Sequence, residues 1–293
     1  MKRILILILA LLCALAAASA ETVASSFYPV HLLALNLLDG VEGLEAVNVA
    51  PPQTGCLHDY QLSVNDMKKL SAADVLLING AGMESFLTEV AESFPGLTVV
   101  DASRGIELLP SSSGETEFNA HIWLSPANAQ IMAANLAEGL MAAFPDRAEA
   151  IAANRDALTL RLQTLDAELR EGLAGLEGRK IITFHEAFPY FARDYGLEVA
   201  AVVALEPDDA LSPRQLAELI DLVRSLDNPP LFTEPQYASL SAETVARETG
   251  AAVWELDPCV TGPEEDIPLT YFEDVMRRNM ETLREALGEK PGA

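Results

Sequence analysis

Short apolar runs recur along this chain, and between them lie longer segments in which apolar residues return every three or four positions. The first pattern predicts buried strands and the second predicts helices packed on them. Thr22 to Phe27 is the first predicted strand, and Pro29 opens a helix to about Leu38. Leu44 to Ala50 is a second strand. Ser63 is placed to cap a helix running through Leu70. The run Ala73-Asp74-Val75-Leu76-Leu77-Ile78-Asn79 is a third strand, closed by Gly80-Ala81-Gly82. A helix from Glu84 to Ser93 leads to a fourth, Leu97 to Asp101. Strands separated by helices predict βαβ units and a parallel sheet.

The longest helical stretch runs from Ala127 to about Leu176 and breaks near Pro145. Its second part, from Asp146, has no proline and interleaves charges with Ala and Leu. After Gly178 the alternation resumes: strand Lys180 to Phe184, helix Glu186 to Tyr195, strand Leu197 to Ala204, and a helix from Ser212-Pro213 to Leu226. Pro230 to Thr233 is a short strand ending at Glu234. Ser241 to Thr249 is helical, Ala251 to Leu256 is a strand ending at Asp257, and Leu269 to Leu287 is the last helix. The expected fold is therefore α/β, two lobes with mainly parallel sheets joined by a long helix. The lobes are expected at 21–145 and 178–293, with 146–177 as the link.

The N-terminus changes the picture of compartment. Lys2 and Arg3 precede an apolar run from Ile4 to Ala17, and Ala18-Ser19-Ala20 reads as a cleavage site. This predicts a signal peptide over residues 1–20, and with it a periplasmic protein. Leu11-Leu12 before Cys13 puts a bulky residue where a lipid-attachment signal wants a small one. Loss of Lys2 and Arg3 takes the net charge from −25 to −27. So acidic a surface repels nucleic acid and anionic lipid.

Removal of the leader leaves Cys56 and Cys259, an even count that in an oxidising compartment points to a disulfide. The other outcome is that both thiolates bind metal, which suits a closed structural site better. The disulfide is the expectation.

Only four histidines occur. His31 falls inside the first helix and reads as a core residue. The other three, His58, His121 and His185, sit in loops at or after strand-like runs, as do Glu234 and Asp257. In open parallel sheets, ligands bind beyond the carboxyl ends of the strands. Two lobes facing these edges toward each other would bring His58 and His121 from the first and His185 and Asp257 from the second into one cleft. Three imidazoles and a carboxylate suit Zn2+ in a tetrahedral site. Manganese prefers more carboxylate oxygen. No two of these residues form a local metal motif, so spacing alone leaves ordinary core histidines as the competing reading.

The stretch PPQTGCLHDYQLSVNDMKKLSAADVLLINGAGMESFL resembles the first metal motif of the zinc and manganese substrate-binding proteins of bacterial ABC importers. NAHIWLSP, ITFHEAFPYFARDYGL, LSPRQLAELI, LFTEPQ and ETGAAVWELDP are similar to later segments of that family, in the same order. The resemblance implies a metal in the cleft, His58, His121, His185 and Asp257 as ligands, Glu234 nearby, and delivery of the metal to a membrane permease. Manganese-type members commonly have a carboxylate at the third ligand, and His185 stands there in this chain. Two departures are visible. The long His-rich loop of many zinc members is reduced to Ser111–Phe118, and Ser125 stands where the family often has Asp.

The expected function is capture of Zn2+ by a monomeric binding protein and its delivery to an ABC-type permease. The alternative is a secreted zinc hydrolase, with His58, His121 and His185 on the metal and Glu186 or Glu234 as general base. Metal-dependent adhesion or signalling is a third reading for a secreted acidic protein.

Overall fold

The computed structural model describes residues 20–57, 60–112, 117–203, 211–237 and 240–288. Residues 1–19 of the predicted leader and His58 lie outside the described residues.

The first lobe holds four strands, β1 (Glu21–Ser25), β2 (Leu44–Asn48), β3 (Val75–Ile78) and β4 (Thr98–Asp101), in the order β2-β1-β3-β4 and all parallel. The second holds β5 (Lys180–Thr183), β6 (Glu198–Val202), β7 (Leu231–Thr233) and β8 (Val253–Glu255), in the order β6-β5-β7-β8, again all parallel. Each central strand therefore has a topological switch point beside it, between β1 and β3 in one lobe and between β5 and β7 in the other. Parallel sheets need both faces covered, which explains why β3 is buried at every residue.

Helices α1 (Tyr28–Leu37), α2 (Val64–Ala72) and α3 (Leu87–Ser93) belong to the first lobe. Ser63 caps α2 as expected: its Oγ accepts from the Asp66 amide at 3.2 Å, and Asp66 Oδ2 accepts from the Ser63 amide at 2.7 Å. Two helices start later than the sequence suggests. α3 begins at Leu87, because the Glu84 side chain turns inward to accept from the amides of Asn79 and Gly80 at 2.7 and 3.1 Å. In the second lobe α6 (Pro189–Tyr195) begins at Pro189 and not at Glu186, since a proline disfavours helical backbone just before it.

α4 (Pro126–Ala143) packs on β3 and β4 of the first lobe, and beyond the break at Pro145 the long α5 (Ala148–Gly172) leads to the second lobe. Leu158, Leu162, Leu165 and Leu169 form the buried face of α5. The second lobe adds α7 (Pro213–Ser225) and α8 (Leu240–Thr249), and α9 (Tyr271–Leu287) returns to pack on α5 and α1. Arg161 of α5 ties the three helices together, donating to Glu273 of α9 at 2.9 Å and to Asn36 of α1. One hydrophobic core runs from the first sheet through α4 and α5 to Phe188, Phe191 and Leu256 of the second lobe. A smaller cluster under α7 and α8 includes Ile182, Val223, Leu231 and Val245.

Candidate metal centre

His185 follows β5 and Glu234 follows β7, so the two meet at the switch point of the second lobe. Both are buried, and His185 Nδ1 lies 2.8 Å from Glu234 Oε1. A carboxylate only accepts, so Nδ1 carries the proton and Nε2 is the nitrogen that turns to the cleft. Glu234 Oε2 accepts from Gln236 Nε2 at 2.7 Å.

His121 comes from the first lobe, just ahead of a single 3-10 turn, Ile122–Leu124. Asn119 orients it: Asn119 Oδ1 accepts from the His121 amide at 2.8 Å and from Nδ1 at 3.0 Å. The other end of the same amide donates to the Glu186 carbonyl at 2.9 Å, in the loop after His185. Asn79, beyond β3, donates to the Ala120 carbonyl at 2.9 Å and fixes the loop from below. The two imidazoles consequently meet edge to face, 4.7 Å between centroids. Each has its Nδ1 proton held by an outer partner, the arrangement that aims Nε2 at a metal.

Cys56 joins them. Its Sγ is 3.5 Å from His121 Nε2, and a ligand atom from each of Cys56, His121 and His185 lies within 4.8 Å of the others. Among the described residues this is where metal-ligating side chains converge. The expected Cys56–Cys259 disulfide is not formed. Cys56 faces His121, whereas Cys259 is fully buried in a left-handed turn (φ 59°). Burial, with Asp257 nearby, pushes the Cys259 thiol well above its usual range.

Asp257 lies outside the convergent group. Its Oδ1 accepts from the Cys259 amide at 2.8 Å, and Asn279 clamps its backbone on both sides, at 2.9 and 2.7 Å. Burial raises its carboxyl above the ordinary value, against the pull of the Cys259 amide. His31 is a core residue as expected, with Nδ1 2.9 Å from Ser25 Oγ. Burial lowers its pKa to about 4. Ser125 caps α4 through the Asn128 amide at 3.1 Å and donates to Asp194, so Asn119 is the residue that orients His121. Sequence reading passed over Asn119; its position two residues before a candidate ligand was the available signal.

The remaining seam between the lobes is polar and specific. Trp123 Nε1 donates to the Pro258 carbonyl at 2.8 Å, and Tyr190 Oη to the Asn119 carbonyl at 2.8 Å. Glu186, one of the two candidate bases, accepts from Ser111 Oγ at 2.8 Å and from the Ser112 amide.

The family described as zinc-uptake complex component A, periplasmic (ZnuA) matches residues 23–286 of the chain. The chain belongs to this family. A crystal structure of ZnuA superposes with a TM-score of 0.79 at 26% identity, covering 92% of this chain and all of that one. The zinc-binding lipoprotein AdcA of Streptococcus pneumoniae R6 is 27% identical over 283 residues, 92% of this chain. The chain spans 56% of AdcA, about half its length. The iron-binding protein YfeA of Yersinia pestis is 29% identical over 274 residues, 91% of this chain and 86% of YfeA. Metal-binding proteins of the ZnuA family thus share this two-lobed α/β architecture, and the names of its relatives assign different metals.

Proposed function

We propose that the protein captures one Zn2+ in the cleft outside the cytoplasm and delivers it to an ABC-type permease. A cleaved leader over residues 1–20 would place it there, and it would act as a monomer. No helix among the described residues is long and apolar enough to cross a membrane.

The single observation that carries this reading is the meeting of His121 and His185, one from each lobe, each with its Nδ1 proton held by Asn119 or Glu234. Imidazole nitrogen suits zinc better than manganese, whose preferred donors are oxygen. His58 is proposed as the third imidazole, from the loop that also carries Cys56. Asp257 is the carboxylate of the proposed set, with its Oδ1 committed to the Cys259 amide before metal arrives.

The binder is favoured over a hydrolase by what the two candidate bases do. Glu234 is spent on His185 and Gln236, and Glu186 on Ser111 and Ser112. A general base must instead reach the attacking water.

Competition between Zn2+ and Mn2+ on chelator-stripped protein tests the reading. One zinc per chain, retained against excess manganese and with no hydrolytic activity, is the expected result. A clear preference for manganese overturns the zinc assignment.

A further inference from the structure

We infer that Cys56 is itself a ligand of the cargo metal, closing a nitrogen–sulfur set that selects zinc over manganese. This rests on the metal-capture reading above and adds the residue that decides the cargo.

The loop leaves the Cys56 side chain little choice of direction. Gly55 precedes it in the left-handed region (φ 81°), and a β-carbon there would sit 2.6 Å from Tyr237 Oη of the second lobe. Leu57 follows it and is fully buried. Held between a residue pressed beneath Tyr237 and one anchored in the core, the thiol projects to His121.

The Cys56–His121 distance is that of one edge of a coordination polyhedron. Zinc holds sulfur at about 2.3 Å and imidazole nitrogen at about 2.0–2.1 Å, so the S–N edge of a tetrahedral site is about 3.6 Å. Cys56 Sγ and His121 Nε2 are 3.5 Å apart. Asn119 Oδ1 takes the Nδ1 proton of His121, so the atom facing the sulfur is the one bearing the lone pair. His185 stands beside this pair, with the three ligand atoms mutually within 4.8 Å, close enough to be drawn onto one ion.

Cys56 thereby takes the fourth corner that the set above gives to Asp257. Asp257 Oδ1 is bonded to the Cys259 amide, and that residue lies outside the convergent group. Cys259, the only other cysteine of the mature chain, is fully buried.

On binding, the S–H bond of Cys56 is exchanged for a metal–sulfur bond, and the proton passes to solvent. Thiolate is a soft donor that suits zinc and is a poor ligand for manganese. A site with sulfur at one corner therefore discriminates by chemistry as well as by geometry.

Cobalt(II) reports the sulfur directly. Chelator-stripped protein titrated with Co2+ is expected to show the visible d–d bands of a tetrahedral site together with an intense sulfur-to-cobalt charge-transfer band in the near ultraviolet. C56S should keep the d–d bands and lose the charge-transfer band, while C259S keeps both. In C56S the zinc affinity should fall at least about tenfold, and the zinc-over-manganese ratio should shrink by as much. Wild-type protein that binds Co2+ with no charge-transfer band overturns the assignment of Cys56 and leaves the capture reading standing. Wild-type protein that binds neither Co2+ nor Zn2+ overturns the capture reading itself. The wild-type spectrum decides even if C56S misfolds.

Discussion

Glu234 accepts the Nδ1 proton of His185 across the gap between β5 and β7, at 2.8 Å, with both side chains buried. The carboxylate fixes the tautomer and makes the imidazole a stronger donor to metal. E234A should therefore lower zinc affinity by about 10- to 100-fold, and E234Q by less, because its carbonyl can still accept. Chelator competition measures both. An E234A protein that binds zinc like the wild type would show that His185 needs no orienting partner.

Gly55 carries a second prediction. G55A must hold alanine at φ 81° with its β-carbon 2.6 Å from Tyr237 Oη. The backbone strain alone costs about 1–2 kcal/mol. Either the Tyr237 hydroxyl or the loop bearing Cys56 has to give way to relieve the contact. A fall in denaturant midpoint accompanied by weaker zinc binding is expected. A stability loss with unchanged affinity would mean that Tyr237 gives way or that the loop's position is irrelevant to the site.

Two buried groups at the carboxyl ends of β1 and β3 oppose each other with pH. Burial lowers His31 from 6.5 to about 4, so its contribution is present above pH 6.5 and is lost as pH falls toward 4. Burial raises Glu84 from 4.5 to about 7 despite donors from Ser26, Asn79 and Gly80, so its contribution is present below pH 4.5 and is lost as pH rises through 7. Each is worth about 3 kcal/mol. E84Q carries a pH-independent cost, since its amide cannot accept from every donor Glu84 serves. Relative to wild type it should nevertheless gain about 3 kcal/mol between pH 4.5 and 7. Urea unfolding of metal-free protein across that range gives the difference, and a flat difference would refute the raised pKa.

Trp123 offers an optical readout. Its ring centroid is 5.2 Å from that of His121, and it is almost fully buried. Metal on His121 brings positive charge to the imidazole, and the indole emission should fall with a one-to-one endpoint that EDTA reverses. W123F should abolish the change and W254F preserve it. A response that survives W123F would place the metal away from His121.

Much of this was legible in the chain. The apolar runs bounded by Gly and Pro gave the strand–helix order, and Pro145 marked the break before α5. His185 and Glu234 were identifiable because strand ends in parallel sheets face the ligand. What escaped reading depends on where side chains turn after the fold has formed. Glu84 was expected inside a helix, and its carboxylate instead gathers the Asn79 and Gly80 amides. Asn119 gains its importance from Glu186, 67 residues away in sequence, whose carbonyl takes the other end of its amide. The cysteines were paired on their even count in an oxidising compartment. Sequence spacing does not reveal that the left-handed turn at Cys259 buries its thiol while Cys56 faces the cleft.

The unbroken core that joins the first sheet, α5 and the second lobe bears on kinetics. Parting the lobes would pull α9 from α1 and α5, breaking the Arg161–Glu273 pair and wetting Leu162 and Leu165. With its floor packed in this way, the cleft should take up metal at a rate set by ion dehydration and side-chain rotation. Thickening the solvent with sucrose should then leave the intrinsic step of capture almost untouched, whereas a swinging two-domain receptor would slow in proportion to viscosity.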